Sequence, residues 1–255
     1  MGNITFESLR NQFKSQGFVI FPKAIETHQI EEVFSDINRV LLEALKSVYP
    51  SRSLSGGSDE NYLLLKKAAP ELKSHAYDLI KYLNSLHLLA RTGQIMNAIR
   101  ELSAGPLLVE GVQVRIDDQT DDRLLPLHQE VYGQISYDCF NLWVPLVPVT
   151  PENGTLRVLP GSHKLGALKH RFFAEFNNAH GLCEGQIDES EIITPSLDAG
   201  DAILFHPFLV HGSGSNQSGS IRWTMVARYN PVQRIPYLEN ANNSLYIKQK
   251  DDTQS

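Results

Sequence analysis

"GDAILFHPFLVHGSGSNQSGSIRWTMVARY", residues 200–229, holds two runs of strand character on either side of a Gly, Ser and Asn segment. Both "DAILFHP" (201–207) and "RWTMVARYN" (222–230) concentrate β-branched and aromatic residues, which suit a pleated, half-buried surface. Upstream, "LLVEGVQVRI" (107–116), "ISYDCFNLWVPLVPV" (135–149) and "GTLRVLP" (154–160) share that character, with Gly, Pro, Asn and Asp between them. Several strands separated by turn signals predict a sandwich or barrel in the C-terminal half.

The first hundred residues follow a different period. In "THQIEEVFSDINRVLLEALKSV" (27–48), Ile30, Val33, Phe34, Ile37, Val40, Leu41, Ala44, Leu45 and Val48 fall on one helical face, with Thr27 as the expected N-cap. Before it, "FESLRNQFKSQG" predicts a short helix ended by Gly17, and "FVIFP" a strand ended by Pro22. Residues 51–59, "SRSLSGGSD", read as a loop, after which "ELKSHAYDLIKYLNSL" and "QIMNAIREL" return to helical spacing. One domain over 1–255 is expected, with a mainly helical part at 1–103, a strand-rich core at 104–235 and a polar tail at 236–255.

Composition limits the partners. The 255 residues are 42% hydrophobic and 20% charged, the profile of a globular chain, and the net charge of −6 with no long basic block offers no footprint for nucleic acid. A small-molecule partner is expected. The N-terminus lacks signal-peptide and myristoylation patterns, and no run approaches membrane-spanning length, so no membrane partner and a cytoplasmic address are expected. Cys139 and Cys183 have no CxxC spacing and read as reduced packing residues.

Nine histidines remain to be sorted. His28, His75 and His87 lie in or beside the helical part without a second ligand type at useful spacing; His163 in "LPGSH" ends a turn, and His170 and His180 lie in a polar, loop-like segment. In "PLHQEVYG" (126–133), His128 and Glu130 are two apart, so an extended chain places them on one side. Mononuclear iron(II) is held by two imidazoles and one carboxylate, with open positions opposite. His128 and Glu130 supply two such ligands, and either His206 or His211 supplies the third.

The order of motifs narrows the choice. HxE, the Trp-bearing "NLWVP", the turn "NGTL" leading to "PGSH", and "HGS" followed by an arginine resemble the phytanoyl-CoA dioxygenase family of iron(II)- and 2-oxoglutarate-dependent oxygenases. "LRNQFKSQGFVIFPKAI" is similar to that family's opening helix and strand. The resemblance covers most of the chain and implies a double-stranded β-helix, a cupin-like jelly roll with helices packed outside it.

Carried over by position, it makes His128, Glu130 and His211 the ligands of Fe(II), and Arg222, eleven residues past His211, the partner of the distal carboxylate of 2-oxoglutarate. A planar guanidinium suits a carboxylate held by two parallel hydrogen bonds. Ser213, Trp143 and Gln129 match further positions near the cosubstrate, which leaves Arg228 as a surface or structural arginine. The family pattern has Asp where this chain has Glu130, one methylene longer. Similar halogenases replace the carboxylate by a small residue, so Glu130 points to hydroxylation, with O2 consumed and succinate and CO2 released. Residues 164–192 form a candidate lid, in which Lys164, Lys169, His170 and Arg171 could attract an anion. Tyr132, Gln134 and Asn141 are candidates for the substrate face. A cupin-type isomerase or hydrolase on the same three ligands, and a non-catalytic jelly-roll binding protein, are the alternatives.

Overall fold

Thr5 Oγ1 accepts the Ser8 N–H at 3.1 Å to open helix α1 (Phe6–Gln16), and Gly17 at φ 81° closes it in the left-handed region. The protein is described from a computed structural model at residues 5–103, 107–118, 126–130, 138–174 and 179–231. Strand β1 (Phe18–Phe21) follows, then α2 (Thr27–Val48), which buries Ile30, Val33, Ile37, Leu41 and Leu45 on the expected face. Its N-cap is Glu26 and not Thr27: the Glu26 N–H donates to Gln29 Oε1 at 3.2 Å, so Thr27 is already inside the first turn.

Among the described residues, four shorter helices join this layer: α3 (Ser58–Ala68), α4 (Pro70–Ile80), α5 (Asn84–Leu89) and α6 (Gly93–Leu102). α3 begins inside the expected loop, where the Ser58 hydroxyl donates to Phe34 O of α2. The helical stretch at 71–86 is broken between α4 and α5.

Among the described residues the remaining strands are β2 (Leu107–Asp117), β3 (Phe140–Pro145), β4 (Leu156–Val158), β5 (His170–Phe173), β6 (Ala179–Leu182), β7 (Ala202–Phe205), β8 (His211–Ser213) and β9 (Arg222–Pro231). Five form an antiparallel sheet in the order β1-β7-β3-β9-β2. Period two divides its faces. Val112, Val114, Ile116, Leu142, Val144, Leu204, Trp223, Met225 and Tyr229 join the helices in one core. Trp223 Nε1 donates to Asp59 at 2.6 Å and the Tyr229 hydroxyl to Ala90 O at 2.6 Å, fastening sheet to helices. Each such large side chain, fully buried, contributes about 2–3 kcal/mol.

The other face meets a second, smaller sheet. β4 pairs with β8, and bridges His128↔His211 and Val158↔Ile193 extend that pair on both sides. Trp143, Ile203 and Phe205 from the large sheet pack with Leu156 and Val158 from the small one and with Val149 and Leu209 from the segments flanking it. Two facing antiparallel sheets with helices on the outer face of one are the expected double-stranded β-helix. Among the described residues, no helix is long and apolar enough to cross a membrane.

Candidate metal centre

His128 and His211 are register partners. The His128 N–H donates to His211 O at 2.8 Å, and the His211 N–H to His128 O at 3.0 Å. Each imidazole is then fixed by the chain two residues before it, Nδ1 of His128 donating to Pro126 O at 2.8 Å and Nδ1 of His211 to Leu209 O at 2.9 Å. A carbonyl can only accept, so both rings carry their proton on Nδ1 and present a bare Nε2. Glu130 brings Oε1 to 3.6 Å from His128 Nε2 and 3.7 Å from His211 Nε2. One ligand atom from each of the three residues lies within 4.8 Å of the others. Two neutral imidazoles and one carboxylate are a donor set for mononuclear iron(II).

Charge agrees with geometry. Burial alone would raise the Glu130 carboxyl, but the His128 and His211 side chains beside it and the nearby Arg228 guanidinium hold it well below the usual carboxylate range. Burial, with His128 close by, lowers the proton affinity of His211 and keeps it the neutral ring a metal needs.

The cavity beside these residues is walled by the inner face of β2 and β9. Gln113, Arg115 and Asp117 line it from β2, and Arg222, Thr224, Val226 and Arg228 from β9. Arg222 is 4% exposed; its Nη2 lies 2.9 Å from Asp117 Oδ2, and its Nη1 approaches Asn153 O and Gly214 O at 3.4 and 3.3 Å. Nε of Arg222 is buried with no hydrogen-bond partner, a donor left for a ligand. Gly154 of the "NGTL" turn, at φ 84°, passes so close that a Cβ there would meet Arg222 Nη1 and Gly214 O. Ser213 and Trp143 also face the cavity, as does Asn141, whose buried Nδ2 has no partner.

Comparison with known proteins gives the family. A family model described as phytanoyl-CoA dioxygenase (PhyH) matches residues 13–224. The chain belongs to the PhyH family. It is 22% identical over 245 residues to a probable phytanoyl-CoA dioxygenase of Caenorhabditis elegans, covering 89% of this chain and 76% of that one. It is 25% identical to the L-proline trans-4-hydroxylase of Streptomyces griseoviridis (58% of this chain, 63% of the other) and 35% identical to the 1-deoxypentalenic acid 11-beta-hydroxylase of Streptomyces arenae (43% and 42%). The chain thus spans less than two thirds of the two Streptomyces relatives. Among solved structures, the epimerase SnoN in complex with Fe3+, alpha ketoglutarate and nogalamycin RO superposes with a TM-score of 0.61 at 18% identity (89% of this chain, 83% of the other). The apo form of the monooxygenase ThoJ gives 0.59 at 24% identity (88% and 77%). This PhyH-family chain is an enzyme of the iron- and 2-oxoglutarate-dependent oxygenase class.

Three expectations for this PhyH-family chain need correction, and one alternative left open by spacing is decided. Gln129, expected beside the cosubstrate, points the other way, because a residue between two ligands on an extended chain faces the opposite side. Its amide donates to Gly166 O at 2.8 Å and Phe208 O at 2.7 Å and accepts from the Leu168 N–H at 2.8 Å. Arg228 is no bystander: it lines the cavity, and its Nη2 donates to Glu130 Oε2 at 2.9 Å. His206, the other candidate third ligand, packs against His163 and Phe13 and accepts the Phe208 N–H. His170 and His180, expected in a loop, stand on paired strands β5 and β6; His170 Nε2 accepts the Gln129 N–H at 2.9 Å, and the Leu182 N–H donates to Leu127 O at 2.7 Å. The segment expected as a lid therefore includes a hairpin fastened to the ligand-bearing chain.

Tyr132 and Gln134 lie outside the described residues. Asp117 was missed and Arg228 was set aside, although their signal was available: Gln113, Arg115 and Asp117 alternate on one strand face, and Arg228 is an even six residues beyond Arg222. Cys139 is a buried thiol outside any disulfide whose pKa burial pushes up to about 12, and Cys183 is likewise not in a disulfide.

Proposed function

We propose that this chain is an Fe(II)- and 2-oxoglutarate-dependent dioxygenase that hydroxylates an unactivated carbon of a small molecule, with release of succinate and CO2. The reading is carried by the convergence of His128, Glu130 and His211 on the cavity that also holds the buried Arg222 with its unpartnered Nε.

In this reading His128, Glu130 and His211 hold the iron, and Arg222 takes the distal carboxylate of 2-oxoglutarate. Ser213, two residues past His211 and on the same face, offers a hydroxyl along the way, and Trp143 supplies an apolar wall. When bound, the metal and cosubstrate supply the oxidising power: one oxygen atom of O2 enters succinate and the other the substrate. The protein's part is to orient and to exclude water. Pro126 O and Leu209 O keep both imidazoles turned to the metal, and Trp143, Leu156 and Phe205 make the cavity wall apolar. Two of the similar proteins are named hydroxylases, and Glu130 fills the place that a halogenase would leave to halide.

Anaerobic addition of Fe(II) and then 2-oxoglutarate is expected to produce a visible charge-transfer band, and admission of O2 to yield succinate even without the primary substrate. Neither should occur in the His211→Ala protein. A parent protein with no band and no succinate overturns the proposal and favours a binding role.

A further inference from the structure

We propose that Arg228 is a positioning residue that assigns the two oxygens of Glu130, leaving Oε1 for the metal and holding Oε2 away from it. The inference rests on the metal-site reading above. Oε1 is the oxygen near both imidazoles, at 3.6 and 3.7 Å, whereas Oε2 takes the Arg228 Nη2 hydrogen bond at 2.9 Å.

The large sheet is shaped to allow this contact. The register of β2 against β9 shifts between Glu110 and Gln113, and Gly111 in that bulge adopts φ 59°. A Cβ at Gly111 would stand 2.9 Å from Arg228 Nη1, so the bulge opens the space the guanidinium occupies. Glu110, the other carboxylate near Arg228, accepts from Asn230 Nδ2 at 2.9 Å.

The chemical need follows from the length of Glu130. A glutamate has one more rotatable bond than aspartate and can turn both oxygens toward one cation. A second oxygen on the metal would occupy a position that the two-histidine, one-carboxylate arrangement keeps open for cosubstrate and O2. A guanidinium on Oε2 prevents that turn.

The test uses R228M and R228K in the full chain, read by thermal unfolding, anaerobic Fe(II) binding, and 2-oxoglutarate titration followed by the charge-transfer band. Loss of an outer partner of a metal ligand typically costs 10–100-fold in metal affinity or activity. R228M is expected to fold and bind Fe(II), to bind 2-oxoglutarate about tenfold or more weakly, and to shift the band; R228K, which keeps a cationic donor, recovers part of both. R228Q, with a neutral donor, carries the test if R228M does not fold. A band and titration equal to the parent in R228M, or in R228Q should it be needed, overturn the proposal. If the parent itself gives no band, the metal-site reading has failed instead.

Discussion

Arg222 and Asp117 face each other as the last register pair of the β2–β9 ladder, Nη2 to Oδ2 at 2.9 Å. A guanidinium this buried needs a counter-charge, and Asp117 supplies it at one nitrogen while Nε stays unpartnered. Replacing Arg222 by Ala is expected to weaken 2-oxoglutarate binding on the order of 100-fold, the cost of losing charge-assisted hydrogen bonds of about 3 kcal/mol. Fe(II) binding without cosubstrate should persist. Anaerobic titration separates the two, and an unchanged 2-oxoglutarate affinity would remove Arg222 from the site.

The turn glycine beside that arginine makes a second prediction. Gly154 sits at φ 84° with the Arg222 guanidinium and Gly214 O where a Cβ would go. Gly154→Ala therefore combines backbone strain with a displaced Arg222 and should lower stability by about 1–3 kcal/mol. Urea denaturation reads the first effect and 2-oxoglutarate titration the second; the variant should fail in both.

Gln129 is expected to matter for stability far more than its place between two ligands suggests. Gln129→Leu keeps much of the volume but strands Gly166 O, Phe208 O and the Leu168 N–H, at a cost of about 2–4 kcal/mol. A chemical melt checks the magnitude. A melt that matches the parent would mean that these three groups find other partners.

Acid should loosen the metal-free protein through His206. Burial, with His163 near it, lowers its pKa from 6.5 to about 4, and its Nδ1 accepts the Phe208 N–H only while unprotonated. Between those values the unfolded chain binds the extra proton and the folded one does not, so stability falls as pH drops from about 6.5 to about 4 and is level above that window. Burial shifts His163 in the same direction. Denaturation at stepped pH should show this slope, and His206→Phe should flatten it; a full slope in the variant would assign the loss elsewhere.

The two periods of the chain carried most of the architecture. The 3.6-residue stripe of α2 and the alternation in β2, β3 and β9 both came from side-chain chemistry that acts locally, so they could be read without neighbours. α3 could not: its first residues are Ser, Asp, Glu and Asn, and it is held by contacts to α2 that local propensity does not contain. The same distinction runs through the site. His128, Glu130 and His211 were readable from spacing and motif order. The reversal of Gln129, the pairing of Arg228 with Glu130 and of Asp117 with Arg222 depend on register between strands about a hundred residues apart, which no local pattern encodes.

The His128↔His211 bridge also determines where the gene can change length. A single residue added or removed between His206 and His211 would turn one imidazole to the far side of its strand, and Pro207 O and Phe208 O would lose their hold on Glu130 and Gln129. The run from Ser215 to Ser220 is mainly exposed and joins two strands whose pairings lie elsewhere. Insertions should accumulate there and leave His128, Glu130 and His211 in place.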